Sequence, residues 1–115
     1  MLKQVLNKFL ILNDVQAAIV MEETGEIIQS MKSGIVIEED LRTVMATILL
    51  DLKTNAVRLG YPSFSMVFVE FADQILILGP VINTFYLVII AKNTANIGQI
   101  TYEMKKHQDA IVSLL

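Results

Sequence analysis

The run Phe85–Ala91, FYLVIIA, is apolar at every position. A strand with one wet face alternates apolar and polar residues, whereas a strand buried on both faces does not. The run is also far too short to cross a membrane, which takes about 20 apolar residues. It therefore predicts a central strand in a sheet covered by helices on both sides. The rest of the 115-residue chain has to supply those helices and the neighbouring strands.

Two strand candidates stand before the middle of the chain. Val15–Met21 is apolar and ends at Glu22-Glu23-Thr24-Gly25-Glu26, after which Ile27 and Ile28 resume the apolar pattern. Thr24-Gly25 suits a tight turn, because glycine tolerates positive φ. The stretch reads as a β-hairpin with solvated glutamates at its tip. An acid–base pair would instead need a pocket that raises one carboxylate's pKa, and a short turn seldom offers one.

Ile35–Ile37 leads into the longest helical pattern. Glu38, Glu39 and Asp40 suit a helix N-terminus and Arg58 its C-terminus. Gly60 follows as an expected cap and Pro62 prevents continuation. At about 100° per residue, Leu41, Val44, Met45, Ile48, Leu52, Ala56 and Leu59 form a broad apolar face expected to lie on the sheet. Nearly opposite runs a narrower strip of Ala46, Leu50 and Val57, flanked by Thr43, Thr47 and Thr54. The outer face of a surface helix is normally charged. Small, apolar and hydroxylic residues there permit another helix to approach closely, so these six residues are the expected dimer or partner interface. A central helix buried within the chain is the competing reading.

Three further strands are expected at Phe64–Phe71, Ile75–Leu78 and Phe85–Ala91, with a turn at Ala72–Gln74 and a break at Gly79-Pro80. Helices close both ends of the chain. At the N-terminus, Leu2, Val5, Phe9 and Leu12 share one side of a short amphipathic helix. It lacks the long apolar core of a signal peptide, and its two lysines, Lys3 and Lys8, are few for a membrane-surface anchor. At the C-terminus, Ile97, Ile100, Met104, His107, Ile111 and Leu114 recur every three or four residues, with Asn93 or Thr94 as expected cap. The order is α-β-β-α-β-β-β-α. The fold class is α/β, an α/β/α sandwich with a central, mainly antiparallel five-stranded sheet in one domain spanning residues 1–115.

Candidates for chemistry are few. His107 is the only histidine and lies at the edge of an apolar stripe, so it reads as structural. Ser63, Ser65 and Ser113 sit in no nucleophile-elbow motif. Glu38, Glu39 and Asp40 are consecutive and point apart on a helix, and with no cysteine and one histidine no metal site is expected. There is no phosphate-binding glycine motif beyond the single Gly98 in ANIGQI. The only arginines, Arg42 and Arg58, flank the central helix and are candidates for charge contacts with a partner. A net charge of −3 argues against nucleic acid. Hydrophobic residues make up 54% of the chain and charged residues only 18%. That balance leaves more apolar surface than a small monomer hides and points to an oligomer or an apolar partner face. A binding or scaffolding protein is expected, without cofactor or enzymatic activity, cytoplasmic by default.

The pattern resembles the roadblock family, which includes dynein light-chain roadblock proteins, lysosomal scaffold subunits and regulators of small Ras-like GTPases. VQAAIVMEETGEIIQS is similar to the family's first hairpin, and MVFVEFADQILILGPVINTFYLVIIA to its three-strand meander. NTANIGQITYEMKKHQDAIVSLL is similar to its closing helix, with Asn96-Ile97-Gly98 matching a common start. The resemblance implies a homodimer in which the long central helices pair and a strand of each sheet meets its twin. It also implies a non-enzymatic platform for a small GTPase or a larger assembly, some members promoting GTP hydrolysis without an arginine finger. Two alternatives stand beside that reading. One is a structural light-chain-type subunit of a motor or signalling assembly, binding independently of nucleotide. The other is a small-molecule sensor of related fold, for which the bulky Phe85–Ala91 strand leaves little interior room.

Overall fold

The computed structural model describes residues 1–35, 37–82 and 84–115. Val36, in the expected Ile35–Ile37 approach to the central helix, and Asn83, in the expected meander, lie outside them. The elements run α1 (Leu2–Leu10), β1 (Val15–Glu22), β2 (Ile27–Lys32), α2 (Glu39–Arg58), β3 (Val67–Glu70), β4 (Gln74–Ile82), β5 (Phe85–Lys92) and α3 (Ile97–Ser113). The strands form one five-stranded sheet in the order β2-β1-β5-β4-β3. Every neighbouring pair is antiparallel.

The apolar run at Phe85 is the middle strand of this sheet. From Tyr86 to Ala91 it is buried throughout, with β1 on one side and β4 on the other. Alternate residues serve opposite cores. Leu87, Ile89 and Ala91 join Ala18, Val20, Ile75 and Ile77 beneath α1 and α3, which contribute Leu6, Phe9, Ile100, Met104 and Ile111. Tyr86, Val88 and Ile90 join Ala17, Ile19, Met21, Leu76 and Leu78 beneath α2, which contributes Met45 and Leu49. Each large apolar side chain so buried contributes about 1.5–3 kcal/mol. His107 packs edge-on to Phe9, ring centroids 5.8 Å apart, with Nε2 3.0 Å from Glu103 Oε2.

Several local details differ from expectation. β4 does not break at Gly79-Pro80 but continues to Ile82. Proline is tolerated there because β3 pairs with β4 only as far as Val67 opposite Leu78, so Pro80 lies on an unpaired edge with a register shift beside it. β3 is shorter than Phe64–Phe71, and Phe64 instead stacks on Tyr86 with centroids 6.0 Å apart. The cap of α3 is Asn96, whose side-chain oxygen accepts from the Gln99 N–H at 3.0 Å. Asn93 and Thr94 are used elsewhere: Asn93 donates to the Ala72 carbonyl and Thr94 to the Asp14 carboxylate. Gly60 does close α2. At φ +86° it donates to the Val57 carbonyl, and the following Tyr61 N–H reaches back to the Ala56 carbonyl.

Candidate partner interface

α2 lies on the sheet along a face made by Met45, Leu49 and Ala56, with Leu41, Ile48 and Leu52 half-buried. The expected buried face is rotated in two places. Val44 and Leu59 are exposed, and Leu49, only 1% exposed, takes the central position. The cause is the helical wheel itself: at about 100° per residue, Leu49 lies about 40° from Met45, about 20° from Ala56 and about 60° from Leu52, but about 140° from Val44, so the buried arc centres on Met45–Leu49–Ala56. Val44 falls outside it.

The opposite side of α2 carries the six residues picked out by the strip. Thr43, Thr47, Leu50, Thr54 and Val57 are exposed, and Ala46 is half-buried. Leu50 and Val57 each keep 64% of their surface in contact with solvent. The Thr43 hydroxyl donates to the Glu39 carbonyl at 3.1 Å and the Thr47 hydroxyl to the Thr43 carbonyl at 3.0 Å. Both hydroxyls are thereby satisfied within their own helix, which makes the strip less polar than its composition suggests.

Four of the six, Thr43, Ala46, Thr47 and Leu50, line a groove of about 360 Å³ whose other wall is Glu23 and Thr24 of the β1–β2 hairpin. Thr54 and Val57 continue the strip beyond it. The hairpin leans on α2 at Gly25. This glycine has φ +98°, and a β-carbon there would stand 3.3 Å from the Arg42 carbonyl oxygen and 3.5 Å from the Ala46 β-carbon. Its N–H donates to the Glu22 carbonyl, and the Glu22 N–H to the Glu26 carbonyl, closing the turn. The tip is therefore seated, not free. Glu23 departs furthest from the expected solvated role: Lys53 Nζ donates to its Oε2 at 3.1 Å. That bond holds the Lys53 ammonium above its ordinary pKa. Burial pushes the neighbouring Tyr86 phenol up, with the Lys53 charge pulling it down.

The two arginines are not brought together. Arg42 lines a second hollow of about 270 Å³ with Thr24, Glu26 and Glu39, while Arg58 stands exposed at the far end of α2. Among the described residues, no three His, Cys, Asp or Glu side chains converge as a metal site would require.

No protein-family model matches this sequence, and no curated protein matches it. Solved structures do. Myxococcus xanthus MglB superposes with a TM-score of 0.88 at 20% identity, over 98% of this chain and 93% of that one. A structure described as MglB with tetrameric arrangement gives 0.83 at 18% identity, over 96% and 84%. A roadblock/LC7 domain from Streptomyces avermitilis gives 0.78 at 15% identity, over 96% and 94%.

This chain has the roadblock/LC7 fold.

Within that fold, sequence reasoning missed two sets of residues, of which the first adjoins the strip. Glu23 and Thr24 form a wall of the groove, for which the only sequence signal was the glycine that lets the hairpin approach α2. Three aromatics are exposed: Tyr61 after α2, Phe68 on β3 and Phe71 just beyond it. Phe68 is exposed because β3 is an edge strand, and its alternate residues Val67 and Val69 are the ones turned into the core beneath α2.

Proposed function

We propose that this chain is a single roadblock-type domain spanning residues 1–115, acting as a non-enzymatic, homodimeric regulator or scaffold for a small Ras-like GTPase. The observation that carries the reading is the outward face of α2, where Leu50 and Val57 stand exposed in a strip with no charged residue among its six members. An outward helix face on which exposed Leu50 and Val57 stand among Ala46 and three threonines is an interface signature. Two copies pairing along Thr43, Ala46, Thr47, Leu50, Thr54 and Val57 would cover it. The edge strand β3 would meet its twin beside that seam. The likeness to a structure described as a tetrameric arrangement of MglB supports self-association, and the resemblance of the hairpin, meander and closing helix to roadblock sequences supports the GTPase as partner.

In this reading the dimer presents one composite surface, flanked by Arg42 and Arg58 of each copy. A GTPase switch segment docks there, and the dimer favours one switch conformation through its higher affinity for it. Nothing in the mechanism requires a catalytic group from this chain. The test is calorimetric titration of the cognate GTPase loaded with GDP or with a non-hydrolysable GTP analogue. The proposal expects binding that differs between the two states and is lost on reversing both Arg42 and Arg58 to Glu. Equal affinity for both states would instead indicate a light-chain-type structural subunit, and no binding in either state would contradict the proposal.

A further inference from the structure

On the sheet face opposite α2, an open cavity of about 340 Å³ lies between α3 and the far half of β4. That volume is within the range of small-molecule sites, about 300–1,000 Å³. It exists because β3 stops pairing at Leu78, so Gly79–Val81 have β5 on one side and no strand on the other. The Ser63–Met66 segment passes there instead and forms one wall.

The floor is apolar and buried: Gly79, Val81, Leu87, Met104 and Ile111. Gly79 keeps it open. A β-carbon at that position would stand 3.3 Å from the Met104 methyl and 3.5 Å from the Met66 methyl. The rim is polar, with Ser63, Ser65 and Gln108, and it carries one charge, Lys105. Among the described residues, none that lines the cavity is acidic. Among the described residues, no carboxylate lies within ion-pair distance of Lys105.

An apolar floor beneath one unpaired cation matches a ligand with an apolar tail and a single anionic head. The strand edge argues against a peptide added as an extra strand. Pro80 has no N–H to offer, and the Val81 carbonyl already accepts from Gln108 Nε2 at 3.1 Å. A backbone ladder would find few partners there.

We propose that this cavity binds an aliphatic monocarboxylate, its tail over Leu87, Met104 and Ile111 and its carboxylate at Lys105. The site is separate from the α2 surface, so it stands or falls independently of the GTPase reading. It would give a roadblock-type platform a small-molecule input. The bulky Phe85–Ala91 strand was expected to leave little interior room, and this cavity opens where Leu87 of that strand meets the end of β4.

The test is a ¹H–¹⁵N NMR titration with decanoate below its micelle concentration, with decanamide as the neutral probe. The expected result is saturable shifts at Gly79, Val81, Met104, Lys105 and Gln108. Affinity should fall by about two- to fivefold for decanamide and for Lys105→Gln, the loss expected for one solvent-exposed ion pair. Lys105 is exposed, and the spectrum of the free variant reports directly that it folds. Absence of saturable shifts would overturn the proposal. So would shifts centred on Leu50 and Val57, or an affinity unchanged in Lys105→Gln. Tighter binding of a tripeptide ending in a leucine carboxylate would overturn it in favour of a protein partner.

Discussion

Lys53 on α2 and Glu23 on the β1–β2 hairpin stand 3.1 Å apart, Nζ to Oε2, across the groove end of the candidate interface. With Gly25 seated against Arg42 and Ala46, this pair makes hairpin and helix one surface. Whatever docks on α2 meets the hairpin tip as well.

Gly25 is the tightest point of that surface. Any other residue would have to hold a left-handed conformation, at about 1–2 kcal/mol, and place a β-carbon 3.3 Å from a backbone oxygen that cannot swing away. Gly25→Ala is expected to lower unfolding stability by at least about 1–2 kcal/mol in urea titrations, and Gly25→Val by more. Gly34, which has positive φ but open space around it, should show only the conformational cost on substitution by Ala.

Leu49 and Leu50 are neighbours in sequence with opposite roles. Leu49 is 1% exposed in the core beneath α2, so Leu49→Ala is expected to cost about 2–5 kcal/mol through the cavity it leaves. Leu50→Ala leaves no internal cavity. Under the proposed dimer its effect appears instead as a loss of the dependence of wild-type Tm on protein concentration, measured by calorimetry over a hundredfold dilution series.

Asn96 caps α3 through its bond to the Gln99 N–H. Asn96→Ala is expected to cost about 0.5–2 kcal/mol, and Asn96→Asp to cost much less, since aspartate also accepts at a cap. Asn93→Ala removes no cap and should leave α3 intact by amide hydrogen exchange.

Two groups set an alkaline limit on stability. Lys53 and Tyr86 both have pKa values raised above their ordinary ones of 10.5 and 10.0. As pH rises through those ordinary values, the unfolded chain releases these protons before the folded chain does. Stability from both groups is therefore present below about pH 10 and declines above it. Urea midpoints are expected to be unaffected by either group near neutrality and to fall on the alkaline side, with Tyr86→Phe falling less steeply than wild type.

The layer architecture was legible because burial on both faces leaves a plain mark on the chain. Phe85–Ala91 could only be an inner strand, and the two-sided pattern on Glu39–Arg58 separated a sheet face from an outward strip. What remained hidden depended on contacts distant in sequence. Nothing around Glu23 indicates that Lys53 lies beside it, and nothing at Pro80 indicates that β3 ends early enough to leave its edge free. Asn93, Thr94 and Asn96 are all good caps by residue type, and only the competing partners Ala72 and Asp14 decide that Asn96 serves. The rotation of the α2 face toward Leu49 was missed because Val44 and Leu59 are as apolar as the residues that are buried.

The central claim is that the outward face of α2 joins two copies, and the mass in solution tests it most directly. Light scattering on wild type and Leu50→Glu, with circular dichroism to verify that both fold, should give twice the chain's 12.9 kDa for the first and 12.9 kDa for the second. A wild-type monomer, or a Leu50→Glu variant that remains a dimer, would contradict it.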